Sequence, residues 1–161
     1  TANGMAIIKC SVAGESINRI VKSSGKSGAS SENYVLTPVL IEKIYYKDDG
    51  AQINEGEIKY LEENFYYVTS ETPELLEYYE EGTVISERYY PMKTGKNYLV
   101  YVQSYTDSVG GETVSALATV GEQEAVFCLD KTADVICPPP EYLDYDYEEL
   151  RQEVLANYSN K

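Results

Sequence analysis

Seventeen tyrosines, three cysteines, 27 carboxylates and no histidine set the chemistry open to this 161-residue chain. Histidine is the usual general base near neutral pH and a leading zinc and copper ligand. Its absence excludes Ser-His-Asp and Cys-His catalysis and histidine-based metal sites. Carboxylate, lysine, tyrosine and thiol chemistry remains. Paired carboxylates hydrolyse glycosides only when two acids face each other across a cleft at a set separation, and acids spread along the whole chain single out no pair. The chain reads as non-catalytic, with no catalytic residue, cofactor or metal ligand assigned.

The cysteines are Cys10, Cys128 and Cys137. The polar stretch Asp130-Lys131-Thr132-Ala133-Asp134 lets the chain turn, so Cys128 and Cys137 are the pair expected to bridge. Cys10 with either partner is the lesser connectivity, and three small buried apolar thiols are the other reading. No Cys-x-x-Cys pair exists, which argues against zinc knuckles and thioredoxin-like redox work. Two further motifs fail on spacing. Gly25-Lys26-Ser27 would need a glycine where Ile20 stands to be a phosphate loop. Lys47-Asp48-Asp49-Gly50 would need ligands where Tyr45 and Lys47 stand to bind calcium, so it reads as a turn.

Tyrosine is the unusual feature. It occurs in the pairs Tyr45-Tyr46, Tyr66-Tyr67, Tyr78-Tyr79 and Tyr89-Tyr90. Neighbours in a strand face opposite sides, so each pair should send one ring to the core and leave one outside. Exposed rings can stack on sugars or grip an extended peptide. Tyr66, Tyr67, Tyr89 and Tyr90 are taken as the candidate ligand-binding residues; the competing reading makes tyrosine a strand former in a chain with no Trp and two Phe.

The elements that must position these rings are mostly strands. Met5 to Val12 is a short apolar run that Ser16 to Val21 can continue past a bend at Gly14. A Gly/Ser loop spans 23 to 31. Tyr34 to Tyr46 is a long β-rich segment in which Pro38 should mark an edge or a bulge. Ile58 to Glu62 and Phe65 to Val68 read as strand with an irregularity near Asn64. Thr72-Pro73-Glu74 carries a helix start with Thr as N-cap, and Leu75 to Tyr79 supply one or two turns. Val84-Ile85 and Tyr89-Tyr90 lead through a turn at 91–96 to a core strand at Tyr98 to Val102. Asp107 to Glu112 reads as a turn, and Thr113 to Val120 and Ala125 to Leu129 as strands. Pro138-Pro139-Pro140 is a stiff spacer. Beyond it Asp146 and Glu149 form a capping pattern for one amphipathic helix carrying Tyr147, Leu150, Val154, Leu155 and Tyr158, expected to pack on the chain's own sheet.

Net charge is −14, and it is uneven. Residues 1–47 hold six basic and three acidic side chains, net +3, which leaves −17 for the remainder. That sign repels phosphate backbones and anionic membrane surfaces, so neither nucleic acid nor membrane insertion is expected. Calcium or a cationic partner could exploit the acidic part; an acidic solvated surface explains it without one. Residues before Cys10 form neither a targeting core nor a lipidation site, and a targeting segment is expected to have been removed.

Two segments together look familiar: Val39 to Tyr46 followed by Ile53-Asn54-Glu55-Gly56-Glu57-Ile58, and Tyr90-Pro91-Met92-Lys93-Thr94-Gly95-Lys96-Asn97-Tyr98-Leu99-Val100-Tyr101-Val102. They resemble a group of secreted or lipid-anchored domains of Gram-positive bacteria, OB-like β-barrels without an assigned activity. The likeness covers roughly residues 5–130 and rests on turn glycines and core strand residues. Where that group closes the first strand with Lys-Gly, this chain has Lys47-Asp48-Asp49-Gly50. The resemblance implies a cell-envelope or extracellular location and carries over no functional residue.

The expected fold is mainly β: a small OB-like antiparallel β-barrel over residues 1–137, then a spacer and a C-terminal helix over 138–161. In such a barrel the loops at 23–31 and 106–112 would frame the ligand face. The expected function is a binding or interaction module whose ligand is a protein or peptide. The alternative is carbohydrate binding through the surface tyrosines, with calcium at the acidic region. A protease-inhibitor use fits poorly, because Cys10 lies too far in to anchor an N-terminal wedge.

Overall fold

The computed structural model describes residues 4–20, 33–86, 89, 91–120, 126–130 and 145–158, with side chains in the last stretch from 149 onward. The fold is mainly β. Among the described residues nine strands run in the order β1 (Met5–Val12), β2 (Ile17–Ile20), β3 (Asn33–Lys47), β4 (Ile58–Glu63), β5 (Phe65–Tyr67), β6 (Val84–Ser86), β7 (Tyr98–Val109), β8 (Glu112–Thr119) and β9 (Val126–Cys128). A short helical turn, α1 (Pro73–Leu76), precedes β6, and α2 (Tyr145–Tyr158) follows β9.

Seven of these strands form one sheet, and β5 and β6 a separate two-stranded one. In the large sheet β1 pairs with β3, β3 with β4, β4 with β8, β8 with β7, and β7 again with β1. The path returns on itself through five strands. An odd ring cannot alternate direction at every step, so one neighbouring pair must be parallel, and β4 with β8 is that pair. The sheet is therefore mixed rather than antiparallel throughout.

The ring forms because each strand alternates. Ala6, Ile8 and Cys10 of β1 face inward with Val35, Val39 and Ile41 of β3, Leu61 of β4, Val100 and Val102 of β7 and Leu117 of β8, all buried. Between them, Lys9 and Ser11 face out and meet Glu42. On the outer side a second cluster joins Leu99, Phe127 and Leu129 to Val154 of α2, with Ile7, Tyr45, Tyr101, Leu155 and Tyr158 packed against it. Tyr45 and Tyr158 rings lie 5.0 Å apart. Leu150, expected in the same stripe, stays exposed.

β1 and β2 are one path bent at 13–16, both antiparallel to β3 and on one edge of it. Pro38 sits opposite that bend, where no ladder hydrogen bond is needed from it, and its carbonyl accepts from the Ala13 N–H. The register irregularities fall elsewhere, at Ile7/Ile8 and Lys9/Cys10 against β3. A side chain at Gly14 would meet the Pro38 ring at 3.0 Å, so the ring would have to give way to admit one. After β3, Asp48 makes the expected turn: one carboxylate oxygen accepts from the Gly50 N–H and the other from the Met5 N–H, both at 3.0 Å.

Three expectations need correction. The turn at 106–112 shrinks to Gly110-Gly111, both with positive φ, because β7 and β8 pair up to Val109 and Glu112. Thr72 precedes α1, but its hydroxyl makes no cap bond; it donates to the Thr69 carbonyl and accepts from the Thr69 N–H instead. Asp146 falls inside the range of α2, one residue past its first, not at the position before it. The Gly/Ser loop with Gly25-Lys26-Ser27 and the proline spacer lie outside the described residues.

Candidate functional site

The chemistry of this fold centres on an acid in the core. β4 sends Leu61 inward and, two positions on, Glu63, which is 1% exposed. One carboxylate oxygen accepts from the Thr37 hydroxyl at 2.5 Å. The other accepts from the Tyr89 hydroxyl at 2.6 Å and from the Met92 N–H at 2.9 Å. These O–H···O lengths are those of charge-assisted bonds. Thr37 gives its only proton to Glu63, so in its 2.7 Å contact with Ser16 it must accept and Ser16 must donate. The result is a directed chain from the surface inward, Ser16 to Thr37 to Glu63, with Tyr89 and Met92 converging from the far side.

Burial pushes the Glu63 carboxyl above its ordinary range, while the Met92 N–H, Thr37, Tyr89 and the charge of Lys93 pull it back. Burial first, and then the Glu63 charge, push the Tyr89 hydroxyl well up. The same two causes raise the Cys10 thiol, which is a protonated, buried group with no nucleophilic character.

What this arrangement positions is a groove. The bend Val12 to Ser16 forms one wall, Pro91 to Thr94 the other, and Phe65, Tyr67 and Val84 the floor, around a volume of about 750 Å³. The 91–94 wall and the floor are fastened. Glu63 holds Met92; the Tyr98 hydroxyl accepts from the Lys93 N–H at 2.7 Å. The Asn18 side chain donates to the Tyr67 carbonyl at 2.7 Å and accepts from the Tyr67 N–H at 2.8 Å, so one amide stands where a neighbouring strand would pair. Phe65 meets the Tyr67 ring edge-on at 5.5 Å and stacks with Tyr89 at 6.4 Å. The floor is thus apolar and fixed, with Glu15, Ser16, Lys93 and Thr94 at the rim.

A second polar cluster lies near the β7–β8 turn. Asp107 accepts from Arg19 at 3.2 Å, Tyr34 at 2.7 Å, Tyr105 at 3.1 Å and the Ser108 N–H at 2.7 Å. Burial alone would raise its carboxyl, but Tyr34, Ser108, Tyr105 and the Arg19 charge outweigh that and hold it below the usual range. Tyr34 is pushed up to about 12, chiefly by burial and by its bond to Asp107. The cluster ties β2, β3 and β7 together.

The candidate tyrosines do not form one row. Tyr67 floors the groove, and Tyr66, its neighbour in β5, is also half-buried against the core, so this pair does not divide between inside and outside. Tyr89 is 2% exposed with its hydroxyl on Glu63, which removes it from the surface rings. Tyr90 lies outside the described residues. Tyr78 and Tyr79 are both exposed, because they follow α1 rather than occupy a strand. Cys128 is buried in β9 and Cys137 lies outside the described residues. Cys10 and Cys128 flank Tyr98 from opposite sides of β7, two strand spacings or about 10 Å apart, too far for a disulfide.

Glu63, Val84 and the 91–94 wall were not singled out by sequence. The signal for Glu63 was there: it shares the inward parity of Leu61. No family model, no curated protein and no solved structure matches this chain.

Proposed function

We propose that the protein is a non-catalytic binding module on an OB-like β-barrel, whose groove takes a protein or peptide segment. The barrel reading is supported by the closed order β1-β3-β4-β8-β7-β1 with one parallel step. The observation that carries the binding reading is the groove itself: an open concavity in which apolar side chains and polar groups share the exposed lining about equally. The non-catalytic reading is supported by the absence of histidine from the sequence and by Ser16, one of two rim hydroxyls, which spends its proton on Thr37. A cell-envelope or secreted location belongs to the proposal and rests on the family resemblance alone.

Carbohydrate binding is the second reading, favoured by one detail: Tyr67 lines the same groove as Glu15, Lys93 and Thr94, an aromatic ring among polar groups. Peptide and glycan arrays separate the two. Val84 is half-exposed, so Val84→Gln lengthens a floor side chain without burying charge. Peptide binding lost in Val84→Gln supports the proposal; glycan binding lost in that variant, with no peptide bound, replaces it. Binding of either class that Val84→Gln leaves unchanged removes the groove as the site.

A further inference from the structure

We propose that the loop at 69–82 is a second interaction surface, which receives a lysine- or arginine-rich segment of a partner protein that also carries apolar side chains. The inference goes beyond the groove and uses different residues.

The loop is closed and built. The Val68 N–H donates to Thr83 and the Gly82 N–H to Val68, joining its two ends. Inside it, Thr72, Tyr78, Tyr79 and Thr83 N–H groups donate to Thr69, Leu75, Leu75 and Glu80. Thr72 is buried and its hydroxyl locks onto Thr69. Compact loops of this kind, with their ends together, are frequently functional. What this one displays is apolar. Leu76, Tyr78 and Tyr79, at 41%, 79% and 47% exposure, are three of the eight large hydrophobic residues exposed among the described ones, gathered within four positions. A protein gains nothing in its own stability from rings held out in water on a fastened loop, and such clustering marks a contact surface.

Charge decides the occupant. Glu71, Glu74, Glu77, Glu80 and Glu81 alternate with the rings, all exposed, and no Lys or Arg stands between Lys59 and Arg88. A partner covering the rings must also meet these carboxylates. An anionic segment, a phosphate backbone or an anionic lipid surface would be repelled, and a second copy of this chain at net −14 would bring like charge to like. A cationic segment gains complementarity and steering while its apolar groups cover the rings. Calcium is a poorer fit: among the described residues no three ligand side chains gather as a metal site.

Selection of random twelve-residue peptides displayed against the full chain tests this. Enriched peptides should interleave Lys or Arg with apolar residues. Their affinity should fall about tenfold or more in Tyr78→Ser/Tyr79→Ser and in Glu77→Gln/Glu80→Gln/Glu81→Gln, weaken with salt, and stay unchanged in Val84→Gln. All the altered side chains are exposed, so both variants should keep the parent unfolding midpoint. The proposal is overturned if cationic peptides are not enriched, or if they bind the tyrosine variant as tightly as the parent. It is also overturned if the loop substitutions abolish self-association of the chain instead. Because Val84→Gln reports on the groove alone, the two surfaces can fail separately.

Discussion

Truncating Glu63 to alanine should cost about 3 kcal/mol of stability, and the figure follows from counting donors. The substitution orphans the Met92 N–H and the Tyr89 hydroxyl, both buried, at about 1–3 kcal/mol each. Thr37 escapes, because its hydroxyl can turn to Ser16. Relief of a buried charge offsets part of the sum. Glu63→Gln should cost only about 1 kcal/mol. The amide oxygen keeps Tyr89 and Met92, and the amide nitrogen donates to Thr37, whose proton then swings to Ser16. The chain of bonds survives with its inner direction reversed. That reversal makes a sharper prediction: Ser16→Ala should be costlier in the Glu63→Gln background than in the parent, because there it strands a donor. Urea unfolding followed by tyrosine fluorescence measures all three. With a slope of roughly 2 kcal/mol per molar, the alanine variant should lose about 1.5 M in midpoint. Acidity gives a further handle. Burial raises the Glu63 pKa above its unfolded value, so its contribution is full below about 4.5 and declines as pH rises through the folded value. The advantage of the parent over Glu63→Gln should therefore be largest in acid. Were alanine to cost under about 1 kcal/mol, or glutamine as much as alanine, the account of Glu63 as the fastening of the groove wall would be wrong.

At Asp107 the sign is opposite. Its carboxyl is held low, so its stabilisation is present above the ordinary value of 3.8 and drains as pH falls through the folded one. Asp107→Asn should cost about 1–2 kcal/mol at neutral pH and nothing in strong acid, and a cost that stays flat with pH would refute the cluster's charged character. Gly14→Ala should lower the melting temperature by roughly 3 °C, about 1 kcal/mol, through the 3.0 Å approach to Pro38. Calorimetry on the same change in a Pro38→Ala background should find most of that loss gone; equal losses in both would place the cost elsewhere.

The strands were legible because their signal is local. Met5 to Val12 announces a strand as an apolar run without reference to any partner, and Gly14 announces the bend after it; that Pro38 lies opposite that bend is a property of the pairing. The parallel step of β4 and β8 was not legible, since it arises from closing an odd ring, a property of five strands at once. Glu63 was passed over because acids belong outside on average, although its parity with Leu61 placed it inside. Tyr89 went the other way: a strand was read at Tyr89-Tyr90, whereas Tyr89 lies outside any strand and reaches inward to a carboxylate 26 positions away. The groove draws on four separated stretches, 12–16, 65–67, 84 and 91–94, which no spacing rule connects.

The ring closes through β1 and β7 without help from anything between β4 and β7. The stretch between β4 and β7 lies outside that ring of paired strands, yet it is held to it by the Glu63, Asn18 and Tyr98 hydrogen bonds and by Phe65, Tyr89 and Met92, which are buried in the ring's own core. In evolutionary terms the two parts can change at different speeds. The exposed loop can be rewritten or lengthened while the ring stays put, provided the three moorings, the backbone groups that they hold and the buried Phe65, Tyr89 and Met92 travel together. A library that randomises only the exposed positions of the loop while holding Asn18, Glu63, Tyr98 and the buried Phe65, Val68, Tyr89 and Met92 fixed should yield folded proteins with new surfaces, which makes this chain a natural chassis for display.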